Sequence, residues 1–178
     1  MKYFLHIALI IITLASACKQ QSQKKSLTSD DLKTIKEKSI EINRKYAHDI
    51  QDSIRTFVEE NNWNMQKSGS GLWYYISRSN NTDSIKKGDF IEYSYTVSLL
   101  NGRVCYSSDS TGTKTVQVGN AGVESGLEEA FLLLHKGDSA RLIIPPHLAH
   151  GFTGDGKQIP RMSPLNYTLT ILRHKKKN

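Results

Sequence analysis

From Leu72 onward the chain alternates short runs rich in Tyr, Ile, Val and Thr with turn-forming residues, and one stretch alone breaks that rhythm. The runs lie at residues 72–77, 90–99, 103–106, 115–118, 140–144 and 167–172, and their residue types suit a pleated, half-buried surface. Asn101-Gly102 predicts a tight hairpin whose two central residues both take positive φ. The break falls at residues 127–134, where Leu127, Phe131 and Leu134 share one side of a helix that Lys136-Gly137 should stop. Residues 72–172 therefore read as an α+β domain, a sheet with one short helix against it.

Between the strands ending near Ile144 and starting near Asn166 lies a connection of about twenty residues, a length that in compact domains goes with function. It carries Pro145, Pro146, Gly151, Gly154, Gly156, Pro160 and Pro164. His150, Phe152, Ile159 and Met162 give it the mixed apolar and polar groups of a ligand rim. A purely structural loop is the plainer alternative.

Residues 28–63 follow a helical pattern instead. Ser29, Asp30 and Asp31 offer start signals, and Leu32, Ile35, Ile42, Tyr46, Ile50, Ile54, Phe57 and Val58 recur at three- and four-residue steps. Asn61-Asn62 marks the expected end. The apolar stripe has two uses: packing on the domain that follows, or pairing two copies of the chain into a homodimer through residues 28–63. The lack of regular heptads favours packing.

The first residues carry a different signal. Lys2, the apolar run at residues 4–14 and the small residues Ala15, Ser16 and Ala17 make residues 1–17 an export signal, the run being too short to span a bilayer. With Cys18 directly after it, LASAC looks like a bacterial lipobox, although Leu14 sits one place further from the cysteine than usual. Cys18 is then the acylated residue that anchors the chain, and residues 18–27 are a polar tether. An ordinary signal peptide beside an incidental cysteine is the alternative. There are two cysteines, so lipidation of Cys18 leaves Cys105 without a disulfide partner and best read as a small buried apolar residue. The net charge of +7 sits largely in the tether and in Arg173 with the basic tail, residues 175–178. That is solvated charge; no RNA-binding signature or DNA-reading helix accompanies it, so no nucleic-acid partner is expected.

YSYTVSLLNG followed by YSSD, then VESGLEEAFLLLHKGDSARLIIP, then AHGFTG with IPRMSPLNYTLTIL stand in that order within residues 72–173. In order and spacing they resemble the FKBP-type peptidyl-prolyl cis-trans isomerases, with the domain at residues 70–174. The join FVEENNWNMQKSGSGLWYYI behind a lipobox is similar to the lipoprotein FKBPs associated with gliding motility. The resemblance implies an FKBP-like curved antiparallel sheet with one short helix packed on it, preceded by an N-terminal helical segment. It also implies rotation about an X-Pro amide, whose uncatalysed barrier is about 20 kcal/mol. Such rotation needs no nucleophile, metal or cofactor: an apolar pocket favours the twisted, less polar amide while fixed donors hold the flanking carbonyls.

Carried over by position, the resemblance makes Tyr95, Val123 and Tyr167 pocket walls and Ile159 an apolar rim. It makes the backbone N–H of Glu124 the donor to a substrate carbonyl. Other positions depart from the pattern. Leu127 replaces an indole floor, Cys105 and Tyr106 replace a Phe-Asp pair, and His150 replaces a tyrosine whose hydroxyl donates to the substrate. Lys114 falls where another aromatic is expected, unless a shift through STGTK brings Val116 closer. The expected catalytic group is thus Tyr95, Tyr106, Val123, Leu127, His150 and Tyr167, with Cys105, Glu124 and Ile159 contacting substrate. The departures together imply weak isomerase activity, or prolyl binding with little turnover.

Two functions follow from the resemblance. One is a membrane-anchored isomerase facing the periplasm that assists exported proteins containing X-Pro bonds, with Lys19 after Cys18 mildly favouring the outer membrane. The other is an FKBP-fold chaperone or assembly module that binds proline-containing segments. A third reading, metal binding by His147 and His150 with Asp155, is weak, because the two histidines lie on a loop.

Overall fold

The computed structural model describes residues 28–80 and 82–177. The expected export signal at residues 1–17, Cys18 and the tether at residues 18–27 lie outside the described residues. The chain divides into two compact units, Met1–Ile42 and Asn43–Asn178.

Helix α1 (Ser29–Glu60) begins at a cap one residue earlier than Ser29. Thr28 Oγ1 accepts the Asp31 N–H at 3.2 Å while the Asp31 carboxylate accepts the Thr28 N–H at 3.0 Å, a reciprocal capping box. The end falls at the asparagine pair: Asn62 takes φ 53, Trp63 N–H reaches Val58 O at 3.0 Å and Asn62 N–H reaches Glu59 O at 2.9 Å. That is the paired 6→1 and 5→2 pattern of a Schellman stop. In the first unit Leu32, Ile35, Ile40 and Ile42 are exposed. In the second unit the stripe is covered, since Ile54 and Val58 are buried against Ile143 with Ile50, Phe57, Trp63, Met65 and Trp73 around them. Each such aliphatic side chain contributes about 1.5–3 kcal/mol on burial.

The second unit is built on one antiparallel sheet of β1 (Gln66–Lys67), β2 (Trp73–Ser77), β3 (Phe90–Leu99), β4 (Val104–Ser107), β5 (Lys114–Gln117), β6 (Ser139–Ile144) and β7 (Leu165–Lys175). The spatial order is β1-β2-β6-β7-β3-β4, and β5 shares the β3 edge with β4. Register shifts at Glu92/Tyr93 and Val97/Ser98 bend the long central strand, as bulges do, and give the sheet its curvature. Ile91, Tyr93, Tyr95 and Val97 on β3 and Leu165, Tyr167, Leu169 and Ile171 on β7 alternate inward into the main core. Helix α3 (Ser125–Phe131) covers that face with Leu127, Ala130 and Phe131, and Phe131 stacks at a tilt on Tyr93 with centroids 5.0 Å apart. Short helix α2 (Ser108–Thr111) links β4 to β5.

Several local expectations are corrected. The hairpin after β3 has positive φ at Gly102 alone, not at Asn101. Gly102 N–H bonds Leu99 O at 3.0 Å and Leu99 N–H bonds Arg103 O at 2.9 Å, so the loop has three residues and Gly102 supplies the bulge. Helix α3 starts two residues before Leu127 and stops at Phe131, because Leu133 and Leu134 turn on three-residue bonds that bury Leu134 and expose Leu132. Strand β7 runs through Lys175, and Lys176 beyond it pairs with Asp83 at 2.9 Å, so the basic residues begin within the sheet. Cys105 is only half-buried.

Candidate functional site

Tyr95, Leu127, Ile159 and Tyr167 belong to the main core, and Val123, Cys105 and Tyr106 pack against it half-buried. The curved face of β3 and β7 supplies the two tyrosines, α3 supplies Leu127 and the long β6–β7 connection supplies Ile159. Gly126 allows α3 to come this close. A Cβ there would lie 2.5 Å from Ile144 Cγ2 and 3.2 Å from Leu148 O, so any side chain would push the helix off β6 and the 3₁₀ turn Pro146–Leu148.

Tyr95 bonds Thr111 Oγ1 through its hydroxyl at 2.8 Å, and Lys114 Nζ lies 4.9 Å from the centre of its ring. Lys114 pairs with Tyr93 and Val116 with Ile91, which leaves Lys114 as a cation over the Tyr95 ring. Val116 is half-buried against the core.

The phenol of Tyr106 donates to the carboxylate of Asp155. A carboxylate acceptor is therefore present after all, supplied from the loop instead of from β4. Asp155 Oδ1 also accepts the Lys157 and Ile159 N–H groups, each at 2.8 Å, which fixes the turn that presents Ile159. Burial works against its charge, but the bonds from Tyr106, Lys157 and Ile159 prevail and hold the carboxyl at about 2. The same bond raises Tyr106 above the ordinary phenol range, and burial raises the Cys105 thiol. Neither Tyr106 nor Cys105 is activated.

Glu124, expected to act through its backbone, makes a second connection with its side chain. Its Oε1 accepts the Tyr167 hydroxyl at 2.8 Å and lies 3.0 Å from His150 Nε2. Burial first, and then the charge of Glu124, push Tyr167 well above the usual tyrosine range. The Glu124 backbone N–H donates to no group among the described residues. Tyr167, Glu124 and His150 thus form a chain from wall to rim that sequence position alone did not reveal.

The histidines and Asp155 of the metal reading are engaged separately. His147 Nε2 meets Ser70 O at 2.9 Å, His150 meets Glu124, and Asp155 meets Tyr106. Among the described residues no three metal-ligating side chains converge.

The connection also forms one wall of a second concavity. Tyr46 and Ile50 of α1 face Pro146, Phe152 and Met162 across an apolar cavity of about 210 Å³. Tyr46 donates to Met162 O at 2.9 Å and ties the two sides. Phe152 and Met162, read from sequence as one rim with His150 and Ile159, thus serve this groove instead.

Residues 81–172 match the FKBP-type peptidyl-prolyl cis-trans isomerase family. A probable FKBP-type peptidyl-prolyl cis-trans isomerase of Haemophilus influenzae is 35% identical over 103 residues, covering 58% of this chain and 42% of that protein. FK506-binding protein 2 of Yarrowia lipolytica is 35% identical over 104 residues, covering 57% of this chain and 72% of that protein. The chain spans less than half of the Haemophilus relative and 15% of human peptidyl-prolyl cis-trans isomerase FKBP9. Among solved structures, AtFKBP13 aligns with TM-score 0.59 at 28% identity over 63% of this chain and 98% of its own. FkpA from Escherichia coli aligns with TM-score 0.60 over 98% of this chain and 83% of its own, a likeness of fold at 22% identity.

Proposed function

Because the chain belongs to the FKBP-type peptidyl-prolyl cis-trans isomerase family, we propose that its residues 70–174 catalyse rotation about X-Pro bonds. The carrying observation is the single neighbourhood of Tyr95, Val123, Leu127, Ile159 and Tyr167 on the inner face of the curved sheet. A prolyl ring set among those side chains leaves water. Its amide then twists in surroundings that favour the less polar, non-resonant form, and so part of the roughly 20 kcal/mol barrier is removed. The free Glu124 N–H holds a flanking carbonyl during the rotation. No group in this scheme forms a covalent bond with substrate. NMR exchange on peptides with varied residues before proline tests it, and rates equal to buffer across the series reject it.

The expected setting is a bacterial membrane, reached through acylated Cys18, with exported X-Pro proteins as clients on the periplasmic side. Incorporation of labelled palmitate into the full chain, abolished by Cys18→Ser, is the outcome this setting requires. Unchanged labelling in Cys18→Ser removes the anchor. Pairing of two copies, expected through residues 28–63, is proposed as well: the exposed Leu32, Ile35, Ile40 and Ile42 support it, whereas Ile54 and Val58 are buried within one copy.

The apolar cavity between α1 and the β6–β7 connection favours a second reading, a chaperone or assembly module that grips clients away from the prolyl site. In that case binding to an unfolded client survives Val123→Trp, which fills the prolyl site, and falls with Phe152→Asp. The reverse pattern places client binding in the prolyl site.

A further inference from the structure

Glu124 directly precedes α3, yet its side chain makes no cap bond to that helix. Its Oε1 instead takes the Tyr167 hydroxyl and faces His150 Nε2. An ionised carboxylate only accepts, so Nε2 carries a hydrogen whether the imidazole is neutral or protonated. Nδ1 is then the ring nitrogen left for an arriving ligand. It is a lone-pair acceptor in the neutral ring and a donor only in the imidazolium. A proline residue has no N–H, so the X-Pro bond offers only carbonyl oxygens there. Against those oxygens the neutral ring presents lone pair to lone pair, and the protonated ring presents a hydrogen.

We propose that Glu124 is a positioning residue that fixes His150 in the Nε2–H form, so that a proline peptide gains a hydrogen bond from Nδ1 only once His150 takes up a second proton. Peptide binding therefore tightens as pH falls. This rests on the prolyl-binding reading above, and it makes His150 a proton-dependent contact instead of a constant one.

The surrounding groups are compatible with that role. Glu124 approaches from the segment before α3, and Asp155 lies on the same connection as His150 and interacts with it through charge. Tyr106 of β4 bonds Asp155, and Tyr167 of β7 bonds Glu124. Tyr93 of β3 is raised by burial and, like Tyr167, stays neutral, with Glu124 and Glu128 as its acidic neighbours. Lys114 of β5 is held over the Tyr95 ring, and His147 in the 3₁₀ turn is bonded to Ser70 O.

Glu124→Leu is the discriminating variant. It roughly keeps the size of the side chain and removes the one oxygen that Tyr167 and Nε2 share, so nothing holds the ring hydrogen on Nε2 and the neutral ring can offer Nδ1–H to the peptide. Two-bond ¹H–¹⁵N spectra of the full chain, with His150→Gln identifying the resonance among the six histidines, report the tautomer. The affinity of N-acetylated, C-amidated Ala-Leu-Pro-Phe, which carries no titrating group, is measured alongside from about pH 8 to about pH 5.5. The expected result is an Nε2–H form at high pH with affinity rising about five- to tenfold on acidification, the effect of one hydrogen bond gained. In the peptide complex of Glu124→Leu at high pH the Nδ1–H form appears, and the rise on acidification shrinks. An Nδ1–H form in the natural chain, a flat affinity, or a full rise retained in Glu124→Leu overturns the proposal. Affinity that rises while isomerisation stays at the buffer rate overturns the isomerase reading and upholds this one. Isomerisation with flat affinity does the reverse.

Discussion

Replacing Tyr167 by Phe removes one oxygen and keeps the ring, which makes it a clean probe of the wall-to-rim chain. Tyr167 is 4% exposed, so its ring stays packed in the core and no cavity forms. What is lost is the 2.8 Å bond to Glu124 Oε1. A hydrogen bond to a charged group contributes about 1.5–3 kcal/mol. Glu124 keeps His150, and its side chain is 14% exposed, so water can reach it and take up part of the vacated acceptor. The net loss is then about 1–2 kcal/mol, or about 3–7 °C in Tm for a unit of this size. Urea unfolding at neutral pH reads it as a lower midpoint with unchanged slope. In a Glu124→Gln background the acceptor is neutral and the same replacement should lose less, by about 0.5–1 kcal/mol. A loss below about 0.3 kcal/mol, or equal losses in both backgrounds, refutes a charge-assisted Tyr167–Glu124 bond.

Three further outcomes follow from the packing. Gly126→Ala places a methyl 2.5 Å from Ile144 Cγ2, and thermal unfolding should show a loss of about 1–3 kcal/mol; an unchanged Tm contradicts the close approach of α3 to β6. Asp138 is fully buried and accepts from Arg78, the Ser79 N–H and the His135 N–H, so Asp138→Asn, which turns an amide toward donors, should lose about 2–3 kcal/mol in urea unfolding. Burial opposes the charge of Asp89, but His174 and the Lys177 and Lys86 N–H groups hold it at about 2, and Asp155 is likewise held at about 2. Since their folded values lie below the unfolded one, their stabilisation is complete above about pH 4 and is lost as pH falls from about 4 toward 2. Denaturation midpoints should drop across that window and drop less in Asp89→Asn; midpoints independent of pH there contradict the bonding.

Six of the seven strands were legible because alternation and β-branched or aromatic content are local signals, and β3 was readable to its last residue; the two-residue β1, Gln66–Lys67, carries neither signal. The helix start was read one residue late, at Ser29, because a serine followed by two acidic residues is the more obvious cap; the reciprocal bonds with Asp31 select Thr28. Asn101 was not legible, because an Asn-Gly pair fits both a two-residue loop and a three-residue loop, and the register of β3 against β4 decides between them. The end of α3 was missed for a related reason: Leu134 keeps helical spacing yet reaches the core through a tighter turn. At the site, Tyr95 and Tyr167 were expected as walls from the resemblance alone, and the paired strands β3 and β7 turn both inward. The links from Tyr106 to Asp155 and from Tyr167 through Glu124 to His150 join residues far apart in the chain, and only the folded sheet brings them together.

The central claim is that the side chains around Tyr95, Val123, Leu127, Ile159 and Tyr167 accelerate rotation about an X-Pro bond. NMR exchange spectroscopy on a proline peptide, with the full chain and with Val123→Trp filling the site, tests it most directly. The account predicts cis–trans exchange faster than in buffer with the natural chain and a return to the buffer rate with Val123→Trp. Exchange at the buffer rate with the natural chain, or acceleration that survives Val123→Trp, contradicts it.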